Sequence, residues 1–278
     1  MMHIPLSTVN SLRRALEEDI GHADITSACT IPEDHRSKAL FVAKANFVVA
    51  GMPFAREVFS LEDPGTGFKP LCKEGSKVAK GDIIAEVWGT TRTLLACERV
   101  SLNLLQRLCG IATLTNAFVA KVKGTGARIV DTRKTTPGLR FMEKYAVRIG
   151  GGGNHRFGLF DGILIKDNHI EAVGGITAAV SGARQAHHLS KIEVEVENLV
   201  ELKEALVAGA DVVMLDNMSL DDMKKAVRMA KGKAVIEASG NISIERVRDI
   251  AETGVDLISV GVLTHSAPAA DISMKVVR

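Results

Sequence analysis

Val130-Asp-Thr-Arg-Lys-Thr-Thr-Pro-Gly-Leu-Arg140 opens the stretch on which the reading of this chain turns. Gly150-Gly-Gly-Gly-Asn-His-Arg156 and Leu164-Ile-Lys-Asp-Asn-His169 complete it. Two short apolar runs, 127–130 and 162–165, are bounded by turn residues and read as buried strands. Cations follow each run directly: Arg133 and Lys134 after the first, Lys166 after the second. Between them His155 and Arg156 close a run of four glycines, where bare backbone can approach a ligand. From Asp131 to His169 seven Lys/Arg stand against four Asp/Glu, a local balance of +3. A pocket made this way suits a small molecule carrying several negative charges.

Outward from this stretch the pattern is strand, loop, helix, repeated. The spacing predicts strands over 127–131, 162–166, 191–196, 211–215, 234–238 and 256–260, with helices over 138–148, 176–188, 198–208, 219–230 and 243–252. A chain of βα units implies a parallel sheet, and about six of them suggest a TIM-like barrel, complete or incomplete. An open doubly wound sheet is the rival, but no GxGxxG follows a first strand. In a barrel the ligand sits at the carboxyl ends of the strands. Those ends carry Asp131, Thr132, Arg133 and Lys134; Lys166, Asp167 and Asn168; Glu195; Asp216 and Asn217; Ser239, Gly240 and Asn241; and Gly261. Cations come early, carboxylates in the middle and small turns last. Late turns leading into helices suit a phosphate, and Glu195 and Asp216 suit sugar hydroxyls or Mg²⁺. Ile192-Glu-Val-Glu-Val-Glu197 alternates strictly, so its Glu residues share one side. That side is either the lumen, paired with cations, or the open face of an edge strand.

Upstream, Ser7–Ile20 has apolar residues at helical spacing and Gly21 stops it; Asp24–Ser27 reads as a turn or cap. Segments 38–52 and 68–88 are strand-rich, with a short helix over 53–59. Gly75–Val87 resembles the hairpin of biotinyl and lipoyl carrier domains, but no modifiable Lys stands beside Met or Asp, so it reads as structure alone. Thr91–Leu108 reads as one helix and Ala112–Lys123 as a second. Arg99 in the first, and Arg140, Lys144 and Arg148 further on, read as solvated or ion-paired cations. His155 and His169 have a structural reading too, as turn residues bonded to backbone, and His187-His188 reads as a helix end.

The chain has 278 residues, 46% of them hydrophobic, enough for a large domain and a smaller one. A net charge of +2 gives no field to draw in nucleic acid or an anionic membrane, and 4% aromatics give few stacking platforms. Cys29, Cys72, Cys97 and Cys109 lack CxxC spacing, so neither a disulfide framework nor a zinc site is expected. No signal peptide or spanning apolar run is present, and a cytoplasmic protein is expected.

The strings Asp131–Arg140, Glu143–Val147, Gly150–Arg156, Leu164–His169, Leu215-Asp-Asn217, Glu237-Ala-Ser-Gly240 and Ser259-Val-Gly261 resemble the quinolinate phosphoribosyltransferases along the whole chain. Glu98-Arg-Val and Gly110–Thr113 fit as well. The resemblance implies an N-terminal α/β sandwich over 1–110, completed by the tail 265–278, and a barrel over 111–264. It implies transfer of phosphoribose from 5-phosphoribosyl-1-pyrophosphate to quinolinate with loss of CO₂, in NAD biosynthesis. Lys134, Lys166, Glu195 and Asp216 would be catalytic. Arg99, Thr132, Arg133, His155, Arg156, Ser239, Gly240, Asn241 and Gly261 would join them in binding substrate. Mg²⁺ would come with the donor, on Glu195 and Asp216 directly or through water, and no organic cofactor is needed. A homodimer or an assembly of dimers is implied, with Arg99 reaching the neighbouring subunit's site. The chain departs from the family pattern at Ala23, where Gly is usual, and at Cys109, where Ser is common.

Other readings remain open: a same-fold paralogue linked to molybdenum transport, a nicotinate-specific transferase, a Schiff-base aldolase using Lys166, or a phosphate-responsive binding protein.

Overall fold

The computed structural model describes residues 3–186 and 189–277, so the His187-His188 pair lies outside the described residues. In chain order its first elements are α1 (Leu6–Ile20), α2 (Ile25–Thr30), β1 (Arg36–Ala43), β2 (Phe47–Val48), α3 (Met52–Glu62), β3 (Gly67–Pro70), β4 (Lys77–Val78), β5 (Ile83–Thr90) and α4 (Thr91–Val122). There follow β6 (Arg128–Val130), α5 (Arg140–Ile149), β7 (Ile163–Ile165), α6 (Asp167–Val173), α7 (Ile176–Arg184), β8 (Ile192–Val196) and α8 (Leu199–Ala208). The last are β9 (Val212–Asp216), α9 (Leu220–Ala230), β10 (Val235–Ser239), α10 (Val247–Ala251), β11 (Leu257–Ser259), α11 (Val262–His265) and β12 (Ile272–Val277). Two compact units emerge: Met1–Asn116 with Thr135–Gly151 and Thr264–Arg278, and Ala117–Lys134 with Gly152–Leu263. Among the described residues no helix is long and apolar enough to cross a membrane.

The first unit is built on an antiparallel sheet of order β12-β1-β5-β3. Phe41, Phe59 and Phe68 meet in its core with ring centroids 5.9–6.2 Å apart, close enough for edge-on and tilted aromatic contacts. The hairpin expected over 75–87 does not form. β4 pairs with β2 and β5 with β1 and β3, so the two strands belong to different sheets. The two helices expected over 91–123 are one helix of 32 residues. Gly110 does not break it; a Cβ there would lie 2.0 Å from the Pro268 carbonyl oxygen, so the glycine admits a crossing segment. α5 is buried over Met142–Val147, so Lys144 is not solvated, which leaves the ion-paired alternative for it, while Arg148 is exposed. Its Glu143 is fully buried and accepts from Arg107 Nε at 2.7 Å.

The second unit holds a parallel sheet of order β6-β11-β10-β9-β8-β7. The last strand pairs with the first, while β6 and β7, neighbours in sequence, end the sheet on opposite sides. β8 lies between β7 and β9, which removes the edge-strand reading of its Glu residues. Local signals start and stop the helices. Asn198 accepts from the N–H groups of Val200 and Glu201, and Gly209 ends α8 with φ 86°. Ser219 accepts from Asp222 N–H at the start of α9. The helix expected over 243–252 is only Val247–Ala251.

Two of the four glycines meet other backbone. Gly153 forms a parallel bridge with Val130 at the outer edge of β6, and its N–H donates to Ile129 O at 2.8 Å. A Cβ on Gly150 would lie 2.5 Å from the Ala112 carbonyl oxygen.

Candidate active site

Register across the parallel strands sets the floor of a pocket. Glu195, Met214 and Glu237 are direct neighbours on β8, β9 and β10, and Asp216 and Ser239 pair two residues further on. Alternation sends each of these side chains to one face of the sheet. A cavity of about 470 Å³ opens there. It is lined by Thr132, Arg133 and Lys134 after β6, by His155 and Arg156, and by Leu164 and Lys166 at β7. Glu195, Met214, Asp216, Asn217, Glu237, Ser239, Gly240, Asn241 and Ser259 complete the wall. Strands from both ends of the sheet reach one cavity, so the sheet is curled into a barrel with a seam between β6 and β7.

Cations occupy one side. Arg156 donates through Nη1 to Gly162 O at 3.0 Å, while its buried Nε has no hydrogen-bond partner among the described residues. Burial, and then the neighbouring Arg133 cation, push its pKa down. Two guanidiniums in mutual repulsion, one with an orphaned donor, form a site that an anion would relieve. Lys166 forms an ion pair with Glu195 across β7 and β8. His169 sits apart from the cavity; its Nδ1 accepts the Lys166 backbone N–H at 3.0 Å and caps α6. Its structural reading is the right one.

Small residues form the opposite wall. Gly240 (φ 88°) is followed by Asn241 (φ 48°), two successive residues in the left-handed region. Asn217, also left-handed at φ 52°, donates to Asp216 Oδ2 and accepts from Asn241 Nδ2, each at 3.0 Å. Non-glycine residues held at positive φ mark a loop whose shape is over-determined by its surroundings.

Below the cations lies a buried acidic pair. Glu193 and Glu237 carry side chains 10% and 1% exposed, and each has one buried carboxylate oxygen without a hydrogen-bond partner. Burial, then the Glu193 charge, raise Glu237 to about 7. His155 Nε2 lies 3.0 Å from Glu193 and 3.8 Å from Glu237. Three such groups within 4.8 Å have the spacing of a metal site. The imidazole argues otherwise: its Nδ1 accepts the Arg156 N–H at 2.8 Å, so in the neutral ring the proton occupies Nε2. Glu195 and Asp216, in one cavity with the left-handed turn residues Gly240 and Asn241, fit Mg²⁺ better, because that ion takes one or two carboxylates and completes its shell with substrate oxygens.

The family description "Quinolinate phosphoribosyl transferase, C-terminal domain" matches residues 111–275, and that of the N-terminal domain matches 24–109. The chain belongs to the quinolinate phosphoribosyltransferase family. A probable nicotinate-nucleotide pyrophosphorylase [carboxylating] of Bacillus subtilis is 47% identical, over 99% of this chain and 95% of its own length. One from Synechocystis is 46% identical, over 96% and 92%. The solved structure of the nicotinate-nucleotide pyrophosphorylase from Francisella tularensis superposes with TM-score 0.94, 43% identity and coverage of 99% and 98%.

Within this member of the family, twelve of the residues singled out in the sequence line one cavity: Thr132, Arg133, Lys134, His155, Arg156, Lys166, Glu195, Asp216, Asn217, Ser239, Gly240 and Asn241. Gly261 does not line it; Ser259 is the β11 residue there. Arg99 is exposed on α4, in the first unit. Sequence reading missed Leu164, Met214, Glu237 and Ser259. Glu237 carried a signal, since it stands two residues before Ser239 on the same strand and must share its face. Of the two departures from the family pattern, Cys109 is buried, and its thiol donates to Ala50 O at 3.4 Å much as a serine would; Ala23 is exposed beside the cap Asp24.

Proposed function

We infer that this chain transfers phosphoribose from 5-phosphoribosyl-1-pyrophosphate to quinolinate, releasing pyrophosphate and CO₂ and giving nicotinate mononucleotide for NAD biosynthesis. The observation that carries the reading is the cavity's two-sided chemistry. Cations flank the orphaned donor of Arg156, and facing them are two carboxylates and a pair of left-handed turn residues. Quinolinate is a pyridine with two adjacent carboxylates, and Arg133, Arg156 and Lys166 are its natural grip, with Thr132 and His155 alongside. Guanidiniums hold carboxylates by parallel hydrogen bonds and fix orientation as well as charge. Ser239, Gly240, Asn241 and, beyond them, Gly261 suit the 5′-phosphate. Lys134 suits the leaving pyrophosphate.

Departure of pyrophosphate leaves positive charge on the ribose ring, and Glu195 and Asp216 are the cavity carboxylates suited to stabilise it. The pyridine nitrogen then bonds to the ribose carbon and becomes cationic. When the bond to the adjacent carboxylate breaks, its electron pair stays on the ring, held by that cation, and a proton from solvent replaces the CO₂. The substrate is its own electron sink. Mg²⁺ held by Glu195 and Asp216 would neutralise charge on the donor's phosphates. The Lys166–Glu195 ion pair weighs against a Schiff-base aldolase, whose lysine must offer a lone pair. A homodimer, or an assembly of dimers, in which Arg99 serves the partner's cavity completes the proposal.

The test is CO₂ release from carboxyl-labelled quinolinate in Mg²⁺, with and without the donor. Release that requires the donor is expected. No release from folded protein with both ligands present would move the assignment to the same-fold paralogue.

A further inference from the structure

His155 is held by three bonds that leave it one tautomer. Its backbone N–H donates to the fully buried Asp131 carboxylate at 2.9 Å. Its Nδ1 accepts the backbone N–H of Arg156 at 2.8 Å. Its Nε2 lies 3.0 Å from Glu193 Oε2. A neutral imidazole has one N–H, and with Nδ1 acting as acceptor that N–H must be at Nε2 and must donate to Glu193. The next residue in the chain is Arg156, whose guanidinium faces the cavity.

We propose that Glu193 is a positioning residue for quinolinate: it fixes His155 in the Nε2–H form, and the Nδ1 lone pair so preserved anchors the Arg156 backbone where its guanidinium meets the substrate's carboxylates. This rests on the substrate reading above. Without an acceptor at 193, the ring proton can move to Nδ1 and face the Arg156 N–H, donor against donor. Either the ring or the Arg156 peptide must then turn away. Glu237 Oε1, 3.8 Å from Nε2, adds negative charge on the same side and favours the same tautomer. Glu195, two residues on, faces Lys166 instead and has no part in this. The signal was in the alternating strand, whose Glu residues share a face although only one of them touches the cavity wall.

The experiment compares Glu193→Leu and Glu193→Gln in the full chain. Loss of a hydrogen bond involving a charged group corresponds to roughly ten- to a hundredfold in binding. The Leu variant should raise KM for quinolinate by about that factor while KM for the donor stays near that of the wild type. The Gln variant keeps a carbonyl acceptor and should restore KM to within about threefold. Nitrogen-15 spectra of the His155 ring, assigned with His155→Asn, should report the Nε2–H form in wild type and Gln variant and its loss in the Leu variant. A Leu variant with unchanged KM for quinolinate overturns the proposal, as does equal damage to both KM values in both variants. An active wild type with the Nδ1–H form refutes this proposal alone. An Nε2–H wild type that releases no CO₂ refutes the substrate reading, and the binding role with it.

Discussion

Replacing Gly240 with alanine tests whether the left-handed turn after β10 is part of the binding machinery. An L-residue at φ 88° carries a backbone cost of roughly 1–2 kcal/mol. The new Cβ would also lie 2.3–2.6 Å from the carboxamide atoms of Asn217, far inside contact distance. Asn217 cannot move aside freely, because it donates to Asp216 and accepts from Asn241 and is itself at positive φ. Breaking those two bonds adds about 1 kcal/mol each. The total, about 3–4 kcal/mol, corresponds to a fall in Tm of roughly 5–7 °C for a chain of this size. The kinetic effect should fall on the donor. KM for phosphoribosyl pyrophosphate should rise at least about tenfold, the equivalent of one displaced charge-assisted bond to phosphate. KM for quinolinate should hardly change. Thermal unfolding and steady-state kinetics read the two effects separately. An unchanged Tm would show that Asn217 yields at no cost. A lowered Tm with an unchanged donor KM would show that the turn is structural and that the phosphate is held elsewhere.

Arg133→Ala should lower kcat/KM for quinolinate by about two orders of magnitude or more and leave the circular-dichroism spectrum intact; near-normal turnover would sink the cation grip. Mixing inactive Arg99→Ala and Arg133→Ala subunits should restore part of the activity, because one kind of site in the mixed dimer would be whole; no recovery from a proven mixed dimer would refute Arg99 acting across subunits. Burial and the Glu193 charge raise Glu237 from its ordinary 4.5 to about 7, so the folded state binds that proton more tightly than the unfolded chain. Its contribution to stability is complete below about 4.5 and is lost as the pH rises to about 7. The wild-type Tm should therefore fall across that window relative to Glu237→Gln, and parallel curves would refute the shift. Gly110→Ala should prevent stable folding, since backbone stands 2.0 Å from the new Cβ; a soluble variant with wild-type Tm would mean that the Pro268 segment is free to move.

Strand identity in the βα region was legible because each strand is a short Val/Ile-rich run between turn residues. Its boundaries shifted by one or two residues. The strand-end cations and carboxylates were legible for the same reason: a known strand fixes which residue stands at its end. What failed was the division of residues 91–123 into two helices. One helix runs through Gly110, which admits close approach of the Pro268 backbone, as Gly150 admits that of Ala112. A one-dimensional pattern marks where backbone is bare, and only the fold says what lies against it. The burial of Lys144 was not legible, since periodicity along α5 does not show that the helix is covered on most sides. Glu237 was visible but unassigned, because its importance comes from Glu193 and His155, which reach it only through the sheet register.

The order of the strands bears on how the chain can acquire its structure during synthesis. β1 finds a partner in β12 and β6 in β11, so the earliest strand of each sheet waits for one of the latest. Pairings so distant in sequence incur their loop-closure entropy before any contact offsets it, and they slow folding. A growing chain therefore presents the open side of β6 to its surroundings until residues 257–259 have been made, and that of β1 until residues 272–277 have been made. Such unpaired strands template aggregation. The second unit gains its last strand, β11, before the first unit gains β12, and removal of residues 272–277 would return β1 to that vulnerable state.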